Sequence, residues 1–172
     1  RTVFLLVSHA PARLLPTIRS RCRILRFRQL PEADVAAVLR AEGVGEDSLP
    51  ALLALADGAP GAALRFAGGA AGGLDEAITG LMAGAAGLPA FARQFQAPAA
   101  QLRFEALTML APRRLAAAAR RTPSPRLLDL QAEAETLARD AARLAYDRVQ
   151  VAFALGRMLA EAGRLEGSAP NP

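Results

Sequence analysis

The chain opens on a continuous apolar, β-branched-rich run, Thr2–Val7 (TVFLLV). Its length and composition predict a buried strand of the kind that parallel sheets contain. Ser8–His9–Ala10–Pro11 ends the run, and Ala12–Arg19 reads as a short helix or turn interrupted by Pro16. Ser20–Gln29 then sets Arg21, Arg23, Arg26 and Arg28 against Cys22, Ile24, Leu25 and Phe27. That alternation is closer to a strand's period than to a helix's and predicts a second short strand. Two strands alone are marginal. A strand pair without a sheet, in a chain that starts at Arg1 without Met, leads us to expect a piece of a longer protein.

From Leu30 onward the periodicity is helical. Pro31 suits the first position of a helix, with Glu32 and Asp34 in its first turn, Val35, Val38 and Leu39 on its apolar face and Gly43 as its stop. Ser48 is placed to cap a second helix carrying Leu49, Leu52, Leu53 and Ala56, and Pro60 to open a third with Ala63, Leu64 and Ala67 inside. Gly68–Gly69 and Gly72–Gly73 predict a hinge-like linker. Helices are expected over Leu74–Gly87, Ala90–Gln96 and Ala99–Arg121, the last bent at Pro112, with a turn at Thr122–Pro125. Leu130, Ala134, Leu137, Ala141 and Leu144 make one one-sided stripe, and Val151, Leu155, Met158, Leu159 and Ala162 make another. The Gly167–Pro172 tail is expected to be disordered. The fold class is mostly α, with two short strands at the front.

Composition narrows the chemistry. With 172 residues, 52% hydrophobic and 22% charged, the chain is a folded domain or two small ones rather than a disordered tract. No window approaches the length of an uncharged membrane span, and Thr2–Val7 is too short for a signal-peptide core. One cysteine and one histidine exclude a disulfide framework and a multi-Cys/His zinc site within this chain. The basic residues are all arginine. Seven of them (1, 13, 19, 21, 23, 26, 28) lie in residues 1–31 with no acid, whereas the remainder holds fourteen arginines against sixteen acids. The front segment therefore expects something anionic: a phosphate, a nucleic acid or an acidic partner.

Residues 4–22 carry the most specific wording, FLLVSHAPARLLPTIRSRC. The strand, the small-polar pair, Pro11, the Leu-Leu-Pro-Thr-Ile run and Ser20-Arg21-Cys22 resemble the clamp-loader branch of the AAA+ ATPases. Asp57-Gly58-Ala59-Pro60-Gly61-Ala62-Ala63-Leu64 resembles that family's lid segment, and Leu144-Ala-Tyr-Asp-Arg148 resembles the start of its last collar helix. The resemblance implies that residues 1–30 end a RecA-like α/β core, that 31–70 form a three-helix lid, and that 71–166 form a helical collar used in oligomerisation, followed by the tail at 167–172. It also implies a place in the clamp-loader complex of bacterial DNA polymerase III, an auxiliary part of a DNA-directed DNA polymerase. Its partners there would be gamma/tau and delta subunits, the sliding clamp and primed DNA, in a cytoplasmic hetero-oligomer without membrane contact.

By the same resemblance Arg21 is an arginine finger, donated in trans to the ATP site of a neighbouring subunit, with Ser20 and Cys22 holding its turn and Cys22 packed inward. A planar, permanently charged guanidinium suits the charge that builds on a transferring phosphoryl group. The alternative is that Arg21 is one of several solvated arginines. Ser8 and His9 fall in the sensor-1 region, where His departs from the usual Thr or Asn, and Ala62 stands where a sensor-2 Arg is usual, with Arg65 three residues on. For His9 a backbone-bonded strand-end role is an equal alternative. No G-x-x-x-x-G-K-[ST] loop occurs and Lys is absent. ATP and Mg would thus be bound by neighbouring subunits and no cofactor by this chain. Arg13, Arg19 and Arg23 are candidates for DNA or partner contact, against ordinary solvation. Phe4, Phe27 and Phe66 read as core, so no stacking aromatics support base recognition. Arg113–Arg114 and Arg120–Arg121 read as solvated pairs, and Ala116–Ala119 as a face for close helix approach. Two other functions stay open: a catalytically active AAA+ ATPase, and a basic helical DNA-binding module.

Overall fold

Helices account for the regular structure of the computed structural model, which describes residues 2–8, 11–69 and 72–168. Among the described residues there are nine α-helices and no strand. Neither expected strand forms. Residues 2–8 and 23–30 run without regular structure, and Val3, Leu5 and Phe27 are 83%, 90% and 93% exposed. A ladder belongs to two segments, and among the described residues these have none to pair with. Phe4 (82% exposed) is likewise not core, whereas Phe66 is buried.

Between these stretches lie a 3₁₀ turn at Pro11–Arg13 and a one-turn helix α1 (Pro16–Arg19). Helix α2 (Glu32–Ala41) starts one residue after Pro31 and ends as expected at Gly43 (φ 82°). The Val44 amide donates to Leu39 and the Gly43 amide to Arg40, a Schellman closure. Helix α3 (Leu49–Ala56) takes no cap from Ser48, which lies in a preceding 3₁₀ turn (Glu46–Ser48); Pro50 in its first turn needs no amide partner. Helix α4 (Pro60–Leu64) is short, and Ala67 lies beyond it, exposed. Val35, Leu39, Leu52, Leu55, Ala63 and Phe66 form the buried side of this trio.

Helix α5 (Leu74–Met82) stops five residues before Gly87, at Gly84 in a left-handed conformation (φ 72°). Helix α6 (Leu88–Arg93) is followed by α7 (Gln101–Arg121), α8 (Pro125–Leu144) and α9 (Arg148–Gly167). Helix α7 runs unbroken through Pro112 and packs against α3, α5, α8 and α9. Both predicted stripes face inward, with one exception: Leu144 is 56% exposed because Ala145 (φ 49°) turns the chain out of α8 there. Phe91, Phe95 and Phe104 meet edge to face, with centroids 5.4 and 6.4 Å apart, and join all of these helices' apolar faces into one core. The Ala-rich face of α7 is largely consumed inside the chain, Ala118 and Ala119 being buried. Gly167 ends α9 instead of opening a tail; residues 169–172 lie outside the described residues.

The start of α9 is set by Asp147, whose Oδ1 accepts the Gln150 amide at 2.9 Å. Replacing it with Ala removes the only N-terminal side-chain cap seen among the described helices. Thermal unfolding of Asp147→Ala is expected to show a loss of about 1 kcal/mol.

Candidate functional site

Arg21 sits on the turn that closes α1. Pro16 opens that helix with its fixed φ, and the Ser20 hydroxyl donates to the Thr17 carbonyl at 3.2 Å. The Ser20 amide reaches Pro16 (2.9 Å), the Arg21 amide reaches Ile18 (3.1 Å) and the Cys22 amide reaches Arg19 (3.5 Å). The main chain at Ser20-Arg21-Cys22 is thus held by its own hydrogen bonds while the side chains are left outside. Cys22 is exposed, contrary to the inward packing expected of it, because no described residue forms a layer beneath this segment.

The arginines of the front segment differ from eight of the fourteen that follow it, while Arg93, Arg120, Arg139, Arg143, Arg157 and Arg164 are likewise exposed without a side-chain hydrogen bond or ion pair among the described residues. Among the described residues Arg13, Arg19, Arg21, Arg23, Arg26 and Arg28 are exposed and make no ion pair or hydrogen bond through their guanidinium groups. In the helical body three of the four arginines that looked solvated, Arg113, Arg114 and Arg121, are clasps, whereas Arg120 is exposed without a side-chain partner among the described residues. Arg113 donates to the carbonyls of Ala54 (2.8 Å) and Leu55 (3.0 Å) and pairs with Asp57 (3.3 Å). Arg114 grips both carboxylate oxygens of Asp75, the Nε contact at 3.0 Å. Arg121 does the same to Glu166 (2.9 and 3.1 Å), and Arg126 to Glu161 (2.7 and 3.2 Å). The Arg126 hydrogen bond, opposed by partial desolvation, holds the Glu161 carboxyl below the usual range. Arg103 donates to the Gly72 carbonyl at 2.6 Å and to Gln94 at 3.0 Å; burial pushes its pKa down, with Glu76 opposing. The glycine linker is thereby tied to α7. Acid partners 35 to 45 residues away, as those of Arg126, Arg114 and Arg121 are, are not legible in local spacing.

The remaining candidates separate. Ser8 is exposed at the end of the first extended stretch. His9 lies outside the described residues. Ala62 is half-buried on α4, and Arg65 is engaged elsewhere, bonding Glu105 of α7 at 2.8 Å and lying 5.7 Å from the Phe66 ring centroid. Arg65 is therefore not free to stand in for the missing arginine at position 62 unless that pair opens. One backbone hydrogen bond seen among the described residues joins the arginine segment to the body: the Leu30 amide donates to the Gly58 carbonyl at 2.9 Å. No group of three or more His, Cys, Asp or Glu that could hold a metal occurs among the described residues. What the segment offers chemically is an array of unpaired guanidinium donors, suited to oxyanions and without an acid–base pair of its own.

That array coincides with the part of the chain that comparison with known proteins singles out. Residues 1–31 match the family described as DNA polymerase III, delta subunit. At the level of a single protein the chain is similar to DNA polymerase III subunit delta' of Pseudomonas aeruginosa, with 43% identity over 70 residues. The match covers 39% of this chain and 21% of that protein, so the chain spans about a fifth of the relative's length. No solved structure gives a significant match. No helix among the described residues is long and apolar enough to cross a membrane.

Proposed function

We propose that this chain carries the arginine-donating end of a AAA+ core, followed by the lid and collar, of a delta-prime-type clamp-loader subunit of DNA polymerase III. In this reading residues 1–30 end the core, α2–α4 are the lid and α5–α9 the collar. Arg21 is lent to an ATP site on a neighbouring gamma/tau-type subunit, which binds ATP and Mg. The assembled hetero-oligomer, with a delta subunit, opens the sliding clamp and places it on primed DNA in the cytoplasm. The chain itself splits no nucleotide.

The observation that carries this reading is a coincidence of two independent properties. The stretch that matches the family is the same stretch whose described guanidinium groups, like its apolar side chains, are exposed, and it holds no acid to serve as their counter-charge. In the helical body eight of the fourteen arginines are engaged, as Arg114 and Arg121 are, whereas six others, Arg120 among them, are exposed without a side-chain partner among the described residues. Ala62 and the engaged Arg65 fit a subunit that assists hydrolysis next door.

The test mixes partner ATPase subunits with full-length protein carrying Arg21→Ala. DNA-stimulated hydrolysis is expected to fall while the subunits still co-elute as one assembly; unchanged turnover rejects the finger. The unpaired arginines also suit a DNA backbone. If that is their use, the isolated chain binds duplex DNA with a salt slope reporting several phosphates, and Arg13, Arg19 and Arg23 variants each lower that slope by about one.

A further inference from the structure

We propose that Arg113, on α7, is a positioning residue for Arg21: it holds the Asp57–Gly58 turn in the shape that receives the Leu30 amide, and so sets where the arginine-bearing segment leaves the helical body. This inference rests on the reading of Arg21 as a donor in trans.

Helix α3 ends on two successive left-handed residues, Asp57 (φ 48°, ψ 46°) and Gly58 (φ 74°). An aspartate adopts that conformation at a cost and keeps it only where its surroundings hold it. The Ala59 amide closes the turn on the Ala56 carbonyl at 2.8 Å, and the Arg113 fork adds a second grip, taking the α3 carbonyls of Ala54 and Leu55 with one nitrogen and the Asp57 carboxylate with another. A helix cap alone would need only the carbonyls. The Asp57 contact carries the grip one residue further, next to the carbonyl that binds Leu30.

Gly58 is also where the segment's backbone comes closest to the turn. A Cβ there would lie 2.5 Å from Gln29 Cβ and 3.0 Å from its Cα. The segment is therefore seated on the turn by a hydrogen bond at residue 30 and by steric fit at residue 29. Arg21 lies nine residues before Leu30, and residues 23–30 lack regular structure. Extended chain of that length reaches about 30 Å at most, so the seat sets the region in which the guanidinium can be offered. Helix α7 also contacts α5, α8 and α9, which makes Arg113 the link from that bundle to the segment's root.

Two readouts test the link. In full-length protein Arg113→Met should speed hydrogen exchange of the Leu30 amide about tenfold, the size of one lost charge-assisted clasp, with α9 amides unchanged. In the assembled complex the same variant should lower kcat for hydrolysis with KM for ATP and subunit co-elution unchanged, and should cause no further loss in an Arg21→Ala background. Gly58→Ala, which displaces Gln29 directly, should reproduce both effects and carries the test if Arg113→Met fails to fold. An unchanged Leu30 amide, or an equal fractional loss of kcat with and without Arg21, overturns the proposal. If Arg21→Ala lowers turnover and neither seat variant does, only the positioning role falls. If Arg21→Ala itself is silent, the donor reading falls and the positioning role with it.

Discussion

On the proposed donor reading, Arg21→Ala is expected to slow single-turnover hydrolysis at a neighbouring subunit's ATP site by about a thousandfold, the lower end of what arginine fingers contribute. The folded chain should not register the change. Arg21 is exposed and makes no ion pair or side-chain hydrogen bond among the described residues, so its loss should leave the thermal midpoint of the isolated chain within error. Rate without stability is the signature of a group that works across a boundary. Arg21→Lys keeps the charge and loses the planar fork. It should therefore recover little of the hydrolysis, whereas a role in general electrostatic attraction would be restored by Lys almost in full.

Gly163→Ala is expected to be the most damaging single methyl in the chain. Helices α5 and α9 cross where Gly163 faces the Met82 backbone: a Cβ at 163 would overlap the Met82 carbonyl group and lie 2.7 Å from Met82 Cα. Backbone cannot rotate away as a side chain can, so the α5–α9 contact must open. The strain should exceed the roughly 1 kcal/mol that Ala gains over Gly in a helix. A net loss of about 2–3 kcal/mol is expected, lowering the midpoint by about 4–12 °C in a chain of this size. Gly80→Ala, on α5, is the control, since its Cβ would meet only the Ala86 Cβ at 3.5 Å, an ordinary contact. It should be neutral or stabilising. Equal effects of the two substitutions, by calorimetry or denaturant melts, would show that the helices do not cross at Gly163.

Much of the helical body was legible because its signals are local. The stripes on α8 and α9, the stop at Gly43 and the proline that opens α4 each report one segment's own geometry. What escaped reading depends on two segments at once. Arg113 and Arg114 looked like a solvated pair because Asp57 and Asp75 lie far away in sequence. Gly163 carried no signal because its meaning lies in Met82. The two front strands failed for the same reason: TVFLLV and the Arg-apolar alternation describe the faces of strands correctly, yet a strand also needs a neighbour. The candidate site was legible as wording at residues 4–22, while the absence of any counter-charge on its arginines emerged only from where the acids went. The Ser20 hydroxyl bonds the Thr17 carbonyl within the turn, whereas the Cys22 side chain is exposed.

The most direct measurement is a structure of the full-length protein assembled with its partner subunits and a non-hydrolysable ATP analogue. The account predicts the Arg21 guanidinium about 3 Å from phosphate oxygens of a nucleotide held by the adjacent subunit. Arg21 turned into solvent, with another chain's side chain filling that place, would contradict it.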